Sequence, residues 1–171
     1  MIYKIAFLDR DGVINKSNIK SGYIGKIQHF KLVPGCIKTI KYLKLLKYKV
    51  VIVSNQSGIA RGYFKISDVY KLHKHLQNIL IKNNTRLDKI LFCPFHKDGK
   101  IKKYRKSSKL RKPKTGMFQI INKIWKVDKN KSFMIGDQVT DMEFAKKSGI
   151  KGYLFREKNL YKFVKSINKI N

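Results

Sequence analysis

Short apolar runs alternate with segments of helical spacing along most of the 171 residues. Residues 2–8 (IYKIAFL) read as a strand that ends on an acid, and residues 50–53, four consecutive Val and Ile positions followed by Ser54-Asn55, read as a strand buried on both faces. Residues 87–92, 133–135 and 152–155 predict three more strands. Between them, Pro34-Gly35 opens a helix with Ile37, Ile40, Leu43 and Leu45 or Leu46 on one face, and Ser67-Asp68 caps a second carrying Val69, Leu72, Leu76, Ile79 and Leu80. Pro113 begins a third helix, to residue 127, with Met117, Ile120, Ile121, Ile124 and Trp125 as its apolar stripe. A short helix over 142–147 stops at Gly149, and 160–170 predicts a terminal one. This alternation predicts an α/β fold, a Rossmann-like doubly wound parallel sheet with helices on both faces, in one domain spanning residues 1–171. Only 42 residues separate Asp11 from Ser54. They are absorbed by a loop and a helix, so no large cap domain is expected.

Charge alters this picture in one respect. The formal net charge is +30, yet Lys supplies 34 of the 40 basic residues, Arg only six, and Ile is present 22 times. Nucleic-acid recognition favours the bidentate Arg fork, whereas joint Lys and Ile enrichment follows from an AT-rich coding sequence. Most of the positive charge is therefore read as background, and nucleic acid as an unlikely partner. No apolar run approaches the roughly 20 residues that span a bilayer, and the N-terminus lacks a signal-peptide pattern. Two cysteines, Cys36 and Cys93, build no disulfide framework. A cytoplasmic monomer with no membrane partner is the expectation.

The ten acids are more telling than the forty bases. Asp9 and Asp11 follow the first strand, with Gly12 behind them to let the chain turn beside a ligand. Residues i and i+2 of an extended segment share a face, so both carboxylates can approach one phosphorus, one as nucleophile and one shuttling a proton. A turn or helix cap explains an Asp-Gly pair equally well. Ser54-Asn55-Gln56-Ser57-Gly58 follows the second strand and offers a hydroxyl and backbone N–H groups to an anion, though an N-cap serine is the plainer alternative. Arg111-Lys112-Pro113 places two cations at a helix start, or is a solvated basic run. Asp137 and Asp141 flank the turn after the fourth strand, and Asp141 also suits a cap. Each signal is moderate by itself. Together they fall at the carboxyl ends of strands of one parallel sheet, where such folds bind ligands.

In that order, Phe7-Leu8-Asp9-Arg10-Asp11-Gly12-Val13-Ile14-Asn15, Ser54-Asn55-Gln56-Ser57-Gly58-Ile59-Ala60-Arg61-Gly62, Arg111-Lys112-Pro113 and Gly136-Asp137 with Asp141 resemble the four motifs of haloacid dehalogenase-superfamily phosphatases. More narrowly they are similar to the D-glycero-D-manno-heptose-1,7-bisphosphate 7-phosphatases and the related histidinol-phosphate phosphatases. The resemblance implies that Asp9 is the nucleophile and a Mg²⁺ ligand, and that Asp11 is the general acid/base whose backbone carbonyl also binds the metal. It implies that Ser54 and Lys112 hold the transferring phosphoryl group, that Asp137 completes the protein ligands of Mg²⁺, and that Asp141 orients Lys112 or a metal-bound water. Substrate recognition falls to Arg111, to the Ser54-Asn55-Gln56-Ser57 turn, to the loop around Lys20-Ser21-Gly22-Tyr23, and to Gln138, which stands where relatives often carry a Lys.

The implied substrate is a small phosphorylated sugar, a heptose bisphosphate used in nucleotide-heptose synthesis for lipopolysaccharide or another surface polysaccharide. Histidinol phosphate and a polynucleotide 3′-phosphate are alternatives, as is an anion- or nucleic-acid-binding protein on a decayed phosphatase fold. One departure stands out. The family commonly carries Cys-x-His and Cys-x-Cys around a zinc ion, but here Cys93 and His96 are three apart, and Ser108 and Leu110 replace the second pair of thiols. A structural zinc site is normally four-coordinate. No bound zinc is expected, and packing of Phe92, Phe95 and Tyr104 is expected to hold the loop instead.

Overall fold

The computed structural model describes residues 1–17 and 22–167. Its strands are β1 (Ile2–Tyr3), β2 (Ile5–Leu8), β3 (Lys49–Asn55), β4 (Lys89–Cys93), β5 (Lys126–Val127), β6 (Phe133–Gly136) and β7 (Lys151–Leu154). Its helices are α1 (Cys36–Leu45), α2 (Gly58–Arg61), α3 (Ile66–Lys82), α4 (Gly116–Ile124), α5 (Val139–Ser148) and α6 (Leu160–Ser166). The main sheet has five parallel strands in the order β4-β3-β2-β6-β7. The chain starts at the centre, steps outward through β3 and β4, then crosses to β6 on the other side of β2. Strand order thus reverses between β2 and β6, the position where open α/β sheets bind their ligands.

The alternation of β2 sorts the two layers. Ala6 and Leu8 join the core made with Ile40 and Leu43 of α1, Leu72 and Leu76 of α3, and Leu160 and Val164 of α6. Ile5 and Phe7 join the opposite core with Met117, Phe118 and Ile121 of α4 and Phe144 and Ala145 of α5. All four β2 residues are completely buried, each large one contributing roughly 1.5–3 kcal/mol of transfer free energy. A strand that is apolar on both faces is what two helical layers require. No helix among the described residues is long and apolar enough to cross a membrane.

Several expected boundaries shift. The strand over residues 2–8 is two strands, because partners change at Lys4: Ile2 and Tyr3 pair with Lys126 and Val127, whereas Ile5 onward pairs with β3. The helix expected to be capped by Ser67-Asp68 begins at Ile66 after Lys65, and Asp68 sits inside its first turn accepting the Lys65 N–H at 2.8 Å. Pro113 does not open a helix; α4 begins at Gly116, and Pro113 follows a cis peptide bond. The third helix also ends early, residues 126–127 being recruited as β5. The end of the expected 160–170 helix lies outside the described residues.

Candidate active site

Asp9 leaves the end of β2 with its N–H bonded to the Ile135 carbonyl of β6 at 2.9 Å, fixing it at the strand-order reversal. It lies on the α4/α5 face with Phe7, by the same alternation. Lys112, arriving after the long loop from β4, buries its ammonium between two acids. Its Nζ is 3.0 Å from Asp9 Oδ1 and 2.6 Å from Asp141 Oδ1. Asn55 fixes the approach of that lysine, because its amide oxygen accepts the Lys112 N–H at 3.0 Å and its amide nitrogen donates to the Lys112 carbonyl at 3.1 Å. The two cations were expected to gather at a helix N-terminus. Since α4 starts four residues beyond Lys112, a side-chain clamp replaces that dipole as the positioning device.

Asp137 follows β6, and its carboxylate fills the space beside Gly12. Gly12 has φ +87°, and a Cβ there would collide with the Asp137 carboxylate, so both conformation and room demand glycine. Asp141 stands in the first turn of α5, where its Oδ2 accepts the Gln138 N–H at 3.1 Å. It is therefore a cap and an ion-pair partner at once. Gln138 is exposed and donates its side-chain amide to Asp137 Oδ2 at 3.1 Å.

Single carboxylate oxygens of Asp9, Asp137 and Asp141 lie within 4.8 Å of one another. With all three carboxylates ionised, the one ammonium leaves a surplus of two negative charges in a largely buried place. The strain shows in Asp9, whose carboxyl is pushed up to about 7 by burial, with Lys112 opposing and Asp141 and Asp11 adding to the rise. Burial likewise raises Asp137. Burial disfavours the Lys112 ammonium too, but Asp9 and Asp141 outweigh it and hold it above the ordinary lysine value. Asp137 Oδ1 is buried without a hydrogen-bond partner among the described residues. A hard divalent cation with oxygen ligands fits this set. Asp9 and Asp137 have oxygens to offer it, whereas both oxygens of Asp141 are engaged.

The remaining expected residues divide. Ser54 is buried and its hydroxyl accepts from Gln56 Nε2 at 2.9 Å, while the same amide donates to Asp11 Oδ2 at 2.8 Å. Ser57 is buried at the head of α2. Tyr23 packs against Tyr63 in a tilted pair, 4.9 Å between centroids, and Gly22 turns beside it with φ +67°. Lys20 and Ser21 lie outside the described residues. Arg111 is half-buried, its pKa lowered by burial, and Cys93, Tyr23 and Arg61 are its electrostatic neighbours. Its Nη1 has no hydrogen-bond partner among the described residues.

In the long loop, Cys93 is a buried free thiol whose Sγ lies 3.7 Å from the Phe95 carbonyl, with burial pushing its pKa up. Phe95 and Tyr104 pack at 6.1 Å, and Lys106 covers the Phe95 ring. Phe92 does not join them. It turns to α3 and packs on Tyr70 and His73, because as a β4 residue it faces the helical layer. His96 meets Arg61, Nε2 to Nη2 at 3.5 Å.

Three polar residues at the site have no role assigned by the sequence patterns, although Arg10 and Asn15 lie within the first motif. Arg10 is wholly buried, bridges to Asp11 and contacts His73, and Asn15 donates to Asp11 Oδ1 at 2.9 Å. One clue existed: Arg10 is one of six arginines and sits between two scarce acids.

Residues 4–159 match the family model described as Polynucleotide kinase 3 phosphatase. The chain is 41% identical over 162 residues, 95% of its length and 88% of the relative's, to a D-glycero-beta-D-manno-heptose-1,7-bisphosphate 7-phosphatase of Rhodopseudomonas palustris. It is 35% identical over 86% of its length and 79% of the relative's to the alpha-anomer 7-phosphatase of Photorhabdus laumondii. Among solved structures, D,D-heptose 1,7-bisphosphate phosphatase from B. bronchiseptica, complexed with magnesium and phosphate, superposes with a TM-score of 0.80 at 26% identity, covering 98% of this chain and 88% of that one.

Proposed function

The chain belongs to the Polynucleotide kinase 3 phosphatase family, with the α/β fold of haloacid dehalogenase-type phosphatases, and on that premise we propose that it is a Mg²⁺-dependent phosphatase removing the 7-phosphate of D-glycero-D-manno-heptose 1,7-bisphosphate. The observation that carries this reading is the buried Asp9–Lys112–Asp141 chain beside Asp137, a centre two negative charges in excess and aimed at the strand-order reversal. Relatives on both anomers support the substrate class. On this reading the protein works in the cytoplasm as a single catalytic domain and a monomer, in nucleotide-heptose synthesis. The free thiols Cys36 and Cys93 suit that compartment.

Asp9 attacks the 7-phosphorus while Asp11 gives its proton to the departing sugar oxygen, breaking the P–O bond and leaving an aspartyl phosphate. Water then attacks that phosphorus, Asp11 takes the water's proton, and the bond to Asp9 breaks to release inorganic phosphate. Lys112 and the Ser54 hydroxyl hold the phosphoryl oxygens, and Asp141 keeps Lys112 in place. Asp9, Asp137 and the Asp11 carbonyl would hold magnesium, which would supply charge neutralisation for the transferring group. Arg111, the Tyr23 loop, Ser57 and Gln138 face the sugar and its second phosphate. The long loop is held by Phe95, Tyr104 and Cys93 without zinc.

A phosphate-release panel tests the reading: both heptose 1,7-bisphosphate anomers, histidinol phosphate and a 3′-phosphorylated oligonucleotide, each with Mg²⁺ and with excess chelator. Mg²⁺-dependent release from a heptose bisphosphate at the highest kcat/KM is expected. Preference for the oligonucleotide favours the second reading, a polynucleotide 3′-phosphatase, to which the family description and the +30 charge point. Salt-sensitive DNA binding without release from any ester overturns both.

A further inference from the structure

Behind the carboxylate centre lies a second buried charge network. Arg10 follows Asp9 in the turn just past β2, its contact with His73 places the side chain toward α3, and it is completely inaccessible to solvent. A buried guanidinium needs every donor matched. Its Nη2 lies 2.9 Å and 3.0 Å from the two Asp11 carboxylate oxygens and donates to the Ile24 carbonyl at 2.6 Å; its Nε reaches Asp11 Oδ1 at 3.3 Å. Its Nη1 meets His73 Nε2 at 3.3 Å. Guanidinium nitrogens only donate, so His73 Nε2 presents its lone pair and the ring is the neutral tautomer carrying its proton on Nδ1. Phe92 packs against the edge of that ring at 5.4 Å and fixes its plane.

One rigid cation thus touches the carboxylate that handles the proton and the main chain of the loop carrying Tyr23. We propose that Arg10 is the positioning residue of Asp11, that it keeps the acid's carboxyl in register with the Gly22–Ile24 substrate loop, and that His73 is the acceptor which holds Arg10 in that pose. The inference rests on the phosphatase reading above and adds residues that the reading does not use. Lysine has neither the fork geometry nor enough coplanar donors to hold Asp11 and Ile24 together.

The first half-reaction isolates the effect, since kcat/KM reports only the steps up to departure of the alcohol. An alkyl sugar leaving group needs the Asp11 proton, whereas p-nitrophenolate leaves without it, and general acid assistance is worth roughly 10²–10⁴ in rate. In Arg10→Lys, kcat/KM for the alkyl phosphate should fall about 30- to 100-fold and that for p-nitrophenyl phosphate less than about threefold, a split set by that same assistance. His73→Phe, which keeps the ring volume and removes the acceptor, should show the same split on a smaller scale, and His73→Gln, which restores an acceptor, should recover most of the loss. This pair decides the matter if Arg10→Lys fails to fold. Equal losses on both esters, or no loss in either Arg10→Lys or His73→Phe, overturn the proposal. Wild-type protein that hydrolyses neither ester overturns instead the phosphatase reading beneath it.

Discussion

The two faces of β2 bury charge in opposite ways. On the α4/α5 face, Asp9, Asp137 and Asp141 gather around one ammonium and remain two negative charges in excess. On the α3 face, the Arg10 guanidinium is matched by a carboxylate, a carbonyl and a neutral imidazole. The unbalanced face is the one that a cation and a phosphoryl group would complete. The other face pairs its charge within the protein, and what it contributes is rigidity. Adjacent residues just past the end of one strand are thereby committed to chemistry and to its support.

That contrast can be broken at several points. Removing the ammonium in Lys112→Met should have the largest effect, leaving Asp9 and Asp141 facing each other without their cation; kcat is expected to fall by about 10²–10³, the size seen for lost transition-state donors, in a steady-state phosphate assay. Gly12→Ala forces a methyl into the Asp137 carboxylate at a positive φ. Such strain costs on the order of 1–3 kcal/mol, and a Mg²⁺ titration followed by calorimetry should show affinity falling with the melting temperature.

The balanced face should respond to pH through His73, whose pKa burial depresses to about 3, with Arg10 adding to the fall and Asp11 opposing it. The unfolded chain takes that proton near pH 6.5 and the fold refuses it. The stability from this group is therefore complete above pH 6.5 and lost as pH falls toward 3, about 2 kcal/mol of it by pH 5 at 1.4 kcal/mol per pH unit. Urea unfolding of His73→Gln at pH 7 and pH 5 should show the smaller drop. The least change is expected from zinc removal. Metal analysis of the purified protein and its melting temperature in a zinc-selective chelator should show no stoichiometric zinc and no shift, because Phe95, Tyr104 and Cys93 pack the loop.

The sheet and its layers were legible because β2 and β3 are apolar on both faces and helical stripes separate them. The acidic centre was legible because acids are scarce and fall at strand ends. Pro113 misled because its helix-opening preference is local, whereas the Lys112 main chain is held from afar by Asn55, a partner 57 residues away. Arg10 and His73 were hidden for the same reason. Their partnership depends on which face of β2 meets α3, and neither periodicity nor a motif spacing expresses it. Asn55 and Gln56 were expected to touch substrate, yet the amide groups found here serve Lys112, Ser54 and Asp11.

The most direct test is phosphate release from heptose 1,7-bisphosphate by wild-type and Asp9→Asn protein under saturating Mg²⁺, with matched circular dichroism spectra. Substitution of the nucleophile should lower the rate by at least about 10³, the scale on which lost nucleophiles are measured, while the fold is retained. Turnover in Asp9→Asn within a few-fold of wild type would contradict the account.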